Sequence, residues 1–139
     1  MQNNAALQSV AALGAVLTID GDLNLTENPN IEGLGGPFSL TRVGGNMEFT
    51  ENNSLLSIDG FDLVTEVGGG LFVDSNDDLL SVNGFGGLLQ VGGGLSILYN
   101  PSIEGFDSLG GVTSIGGDLL IEGNLQLQDV NGLVSLLSV

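Results

Sequence analysis

An asparagine recurs every 24 residues along the whole chain, at Asn4, Asn28, Asn52, Asn76, Asn100 and Asn124. A period held without a slip restricts the fold to repeat architectures, in which each unit packs only on its neighbours. Gly21, Gly45, Gly69, Gly93 and Gly117 keep the same interval. Two residues after each comes an apolar pair in alternation: Leu23/Leu25, Met47/Phe49, Leu71/Val73, Leu95/Ile97 and Leu119/Ile121. Alternation of this kind predicts a short strand with one face inward.

After each Asn the apolar step changes from two to three, as in Leu55, Ile58, Phe61, Val64 and Val67. Of the 30 positions in that series, only Pro37 is not apolar. A step of three kept over fifteen residues does not suit an α-helix. It suits an extended or 3₁₀-like run whose every third side chain points inward. The doubled glycines, as in Gly68-Gly69 and Gly92-Gly93, predict a corner where a Cβ would clash. A second series, Gly36, Gly60, Gly84 and Gly132, predicts another corner, with Ser108 and Ala12 as exceptions. The pattern therefore predicts an all-β solenoid, a parallel β-helix of about six coils of 24 residues, forming one domain over residues 1–139. The Asn column becomes an internal ladder, satisfying backbone groups of its own turn and of the next coil.

Charge excludes several functions. The chain carries 17 acids against one base, Arg42, for a net −16. It therefore cannot present the clustered Lys and Arg that nucleic acid or an anionic leaflet requires. Without His or Cys it has no imidazole base, no thiol nucleophile and no usual zinc ligand set. No cofactor or resident metal is expected. A hydrophobic fraction of 42% argues against disorder. No segment is long and apolar enough to predict a membrane insertion. Met1-Gln2-Asn3-Asn4 lacks a basic n-region, so no signal peptide is read here; a mature, an excised and an intracellular form all remain open.

Three polar features invite chemistry and read more simply as structure. Asp74-Ser75-Asn76-Asp77-Asp78 is dense in oxygen, but it lacks the spacing of a calcium loop, and Asn76 belongs to the ladder. Glu27 and Glu51 fall in register, but a regular coil offers no cleft for paired-carboxylate chemistry. The glycine runs lack the helix start and Lys of a phosphate loop. No catalytic residue is assigned, and an enzyme is not expected. Asn52-Asn53-Ser54 is a glycosylation sequon whose Asn the ladder would bury.

The segments VGGNMEFTENNSLLSIDGF, VGGGLFVDSNDDLLSVNGF and IGGDLLIEGNLQLQDVNGL resemble the leucine-rich-repeat-like coils of receptor L domains and their bacterial surface relatives. The resemblance covers essentially the whole chain. It implies a right-handed β-solenoid with an Asn ladder, and a cell-surface or extracellular setting. The Cys-rich caps of animal receptor L domains are missing.

Two roles follow. The first is a structural, self-associating solenoid. The first and last coils are as apolar as the middle, so Leu7, Val10, Leu13, Leu133, Leu136 and Val139 are expected to stack copies end to end into filaments. The second is recognition or adhesion through the outer strand face. There Phe72, Leu98, Tyr99 and Leu120 replace the polar residues of earlier coils and form a candidate patch for a protein or glycan.

Overall fold

The computed structural model describes residues 1–139. Its strands, in chain order, are β1 (Thr18–Ile19), β2 (Leu23–Thr26), β3 (Arg42–Val43), β4 (Met47–Thr50), β5 (Ser57–Ile58), β6 (Glu66–Val67), β7 (Leu71–Asp74), β8 (Ser81–Val82), β9 (Gln90–Val91), β10 (Leu95–Leu98), β11 (Ser114–Ile115) and β12 (Leu119–Glu122). Short 3₁₀ turns occupy Ala11–Leu13, Asp107–Gly111 and Asn131–Leu133. Every pairing between strands is parallel and offset by 24 residues, as in Leu71↔Leu95 and Val43↔Val67. The result is three parallel sheets around one core: β2-β4-β7-β10-β12, β1-β3-β6-β9-β11, and the short pair β5-β8. The protein is a β-solenoid.

The coil number departs from the sequence reading. Five strands stack in the main sheet, and they enclose about four complete turns rather than six. The outer periods have a neighbour on one side only, so their backbone cannot complete a ladder. Residues 1–17 and 123–139 hold no strand, and isolated bridges such as Gln2↔Thr26 and Ser114↔Ser138 join them to the stack.

Side-chain period explains the coil section. In β4 and β7, alternate residues are buried, placing Met47/Phe49 and Leu71/Val73 inside. Beyond each Asn the step of three follows from i→i−3 bonds, such as Leu55 N–H to Asn52 O (2.9 Å) and Val64 N–H to Phe61 O (2.9 Å). Each bond brings the third side chain back to the same face. Pro37, the one exception in that series, is exposed, and Phe38 turns inward instead. Phe38 stacks on Phe61 at 4.7 Å between ring centroids, and Phe61 on Phe85 at 5.7 Å.

The glycine corners are backbone-on-backbone contacts. A Cβ at Gly68 would strike Gly44 O, and one at Gly92 would strike Gly68 O. In the second corner Ser108 replaces glycine, and its Oγ donates to Val82 O (2.7 Å) while accepting from Phe85 N–H (3.3 Å).

Candidate functional site: the asparagine ladder and the outer strand face

Each main strand ends in a residue forced into left-handed backbone: Glu27, Glu51, Ser75 and Tyr99 have φ of 54–57°, and Gly123 has 73°. The reversal turns the following Asn inward. At Asn76 the backbone N–H donates to Asn100 Oδ1 (3.0 Å). Nδ2 of Asn76 donates to Asn100 Oδ1 (3.0 Å), to Phe49 O (2.9 Å) and to Asp74 O (3.2 Å). Its own Oδ1 accepts from Asn52 N–H (3.0 Å). Asn28, Asn52, Asn76 and Asn100 are completely buried. The amide that joins three successive coils has no group left for chemistry, and the sequon Asn is enclosed.

The ladder is directional. Every rung after the first accepts at Oδ1 from the rung 24 residues earlier, as Asn28 does from Asn4 (3.2 Å). At the first rung Asn4 Oδ1 accepts nothing within the chain, and at the last rung Asn124 N–H has no acceptor. Within residues 1–139 the first rung therefore keeps a free acceptor and the last a free donor.

On the outer strand face the predicted patch separates into rows. Phe72, Ser96 and Leu120 are lateral neighbours on β7, β10 and β12. The small Ser96 between two bulky residues leaves a groove of about 350 Å³, lined by Phe72, Gly94, Ser96, Asp118 and Leu120. Phe72 is half-covered because its ring lies over Gly70. Ser96 is only 4% exposed and donates through Oγ to Asp74 Oδ1 (2.6 Å), which also accepts Leu98 N–H (3.2 Å). Leu98 is half-buried in the adjoining row. Tyr99 is exposed but sits at the left-handed corner, where its ring covers Gly123. Its hydroxyl donates to Glu122 Oε1 (3.1 Å). That hydrogen bond, and then the carboxylate charge, push the phenol above its ordinary value of 10.0. Ser96 was not legible as a groove floor, because a serine on an outward strand position reads as ordinary solvent-facing surface.

The acids do not converge. No three of them approach closely enough to hold a metal ion. Glu27 and Glu51 project at successive corners, and each surface depression contains a single carboxylate: Asp59, Asp118 or Glu32. Arg42 pairs with Glu66 at 3.5 Å on the exposed surface, a contact worth ~0–1 kcal/mol.

The end residues divide unevenly. Val10 is buried within its own coil and presents no surface to a neighbour. Leu7, Leu13, Leu133 and Leu136 are partly covered, packed against the core on one side. Val139 is exposed, and so are Leu125, Val134 and Leu137, the last at 85%. These three fall outside the step-of-three series, so periodicity alone did not single them out. No family model, no curated protein and no solved structure matches this chain.

Proposed function

We propose that the protein is a non-enzymatic scaffold of a cell surface or extracellular matrix. In this reading it is a right-handed, leucine-rich-repeat-like solenoid that stacks end to end with copies of itself into filaments. The right-handed sense follows the strong preference of parallel crossover connections. The observation that carries the reading is the apolar C-terminal end. Leu125, Val134, Leu137 and Val139 are exposed there beside the half-covered Leu127, Leu133 and Leu136. Apolar surface gathered at one end marks a contact, and each fully buried side chain of this size contributes about 1.5–3 kcal/mol. β12 adds an unpaired parallel edge that gives addition a direction. Sedimentation velocity of the 139-residue chain in physiological salt tests this. Rods longer than one protomer are expected, and Leu133→Lys with Leu136→Glu should abolish them while inner coils stay folded. A monodisperse monomer at high concentration overturns the reading.

A second reading, recognition of a protein or glycan partner on the strand face, is favoured by the groove between Phe72 and Leu120. The chain has one Tyr and no Trp, so its near-ultraviolet fluorescence reports Tyr99 alone. Saturable quenching by an oligosaccharide or peptide, lost when Ser96→Leu fills the groove, supports it. Quenching that persists in Ser96→Leu places the contact elsewhere.

A further inference from the structure

We infer that the Asn ladder crosses the junction between copies and fixes its direction and register: Asn4 of an incoming chain docks as the next rung beyond Asn124. The inference rests on the end-to-end reading above and adds what that reading leaves open, namely which residues meet.

The donor and acceptor pattern is the first argument. Inside the solenoid each rung's backbone N–H donates to the Oδ1 of the next rung, joined by Nδ2 at most rungs, as Asn76 does to Asn100 at 3.0 Å through both. Asn124 N–H lacks that acceptor, and Asn4 Oδ1 lacks those donors. A second copy placed head to tail supplies each with the other. Two Asn124 ends brought together offer donors to donors, and two Asn4 ends offer acceptors to acceptors. Only the heterologous, open-ended arrangement satisfies both. Asn4 also lacks one bond that interior rungs make. Asn76 and Asn100 reach the carbonyl 27 residues earlier, at Phe49 and Val73, whereas Asn4 Nδ2 binds only Gln2 O and Asn28. In the junction the equivalent carbonyl is that of Ile121 on β12.

The second argument is register. Gln2 already bridges Thr26 in parallel, and Thr26 begins the lateral row Thr26, Thr50, Asp74, Leu98, Glu122. Continuing that row sets the incoming Gln2 beside Glu122 and Asn4 beside Asn124. The same step sets Leu7 over Leu127 and Leu13 over Leu133, so the half-covered apolar residues of both ends face one another. One translation therefore matches the polar ladder and the apolar rows together. Interface side chains left half-covered in the monomer become core, and otherwise unpaired amide groups gain partners.

Cross-linking tests the register directly, because the chain has no cysteine of its own. Gln2 and Glu122 are both exposed, so Gln2→Cys with Glu122→Cys leaves the core untouched. Neighbouring positions on paired strands lie about 4.8 Å apart, within the span a disulfide bridges. Oxidation should convert this variant into a series of covalent multimers on non-reducing electrophoresis. Gln2→Cys with Leu89→Cys, which puts the second thiol on a different exposed face, should give none. Asn4→Leu, lacking the acceptor, should weaken parent assembly about tenfold, the scale of a net hydrogen bond or two. If the parent forms rods that never cross-link through positions 2 and 122, or cross-link equally through 2 and 89, the register is wrong and stacking survives. If the parent forms no rods, both conclusions fall.

Discussion

Asn76 touches three coils through one amide, so its loss should be felt well beyond its own turn. Asn76→Ala takes one donor from Phe49 O and one from Asp74 O, and leaves the buried Asn52 N–H without its acceptor. The expected cost is roughly 1–3 kcal/mol, read as a lowered melting temperature; an unchanged one would show the column to be dispensable. Ser75 presents the opposite case. It holds φ of 57°, a region that costs an L-residue about 1–2 kcal/mol. Ser75→Gly removes that strain against a backbone-entropy cost of about 0.5–1 kcal/mol. The net gain, up to about 1.5 kcal/mol, should shift the denaturation midpoint upward. Tyr99 provides a spectroscopic handle at the equivalent corner. Its bond to Glu122 favours the neutral phenol, so deprotonation should come above pH 10.0, and Glu122→Gln should bring the midpoint back down. Because the folded value is raised, what this bond contributes is present below the unfolded phenol value and lost as pH rises through the folded one. Ultraviolet absorbance follows the change in a chain with a single Tyr.

The elements are too short to stand alone, and the corners between them decide whether they stack. Strands of two or four residues become stable only because they stack in register at a 24-residue offset, the inner ones paired on both sides. The doubled glycines let successive coils approach backbone to backbone. Gly92→Ala drives a methyl group into Gly68 O and should cost roughly 1–3 kcal/mol through overpacking. Gly21→Ala is the internal control, since a Cβ there meets nothing. Parallel thermal melts of the two variants check this, and equal losses would contradict the close-approach account. The ladder, the strand alternation and the glycine corners were all legible in the sequence, because each is a local rule repeated in register. Phe38 was not. A single-residue offset after Pro37 depends on the space that Phe61 leaves, which no local pattern records.

Across the whole molecule, repetition brings like charges into columns. With 17 acids and one base, neighbouring coils present Glu27 beside Glu51 with almost no counter-charge. Removing salt should destabilise the fold, and added NaCl should raise the melting temperature, because exposed charges are screened over about 10 Å at 0.1 M. Calcium should act no differently from another salt of the same ionic strength. A saturable calorimetric calcium titration, abolished by Asp74→Asn with Asp78→Asn, would reveal a site instead. Screening favours end-to-end contact as well, so assembly and melting temperature should rise together with salt.

The sequence by itself determined the repeat length, the alternation of strand and step-of-three segment, and the identity of the buried Asn column. These follow from period and residue type, and a solenoid lets each unit meet only its neighbours. Tertiary structure alone decided which outer residues join. It placed Ser96 as a groove floor between Phe72 and Leu120, moved Tyr99 from the strand face to the corner, and enclosed Val10 while leaving Leu137 open. It also set the number of complete turns, because a period becomes a paired coil only when strands on both sides complete its backbone bonds. Pairing and exposure belong to the stack as a whole, and no 24-residue unit contains them.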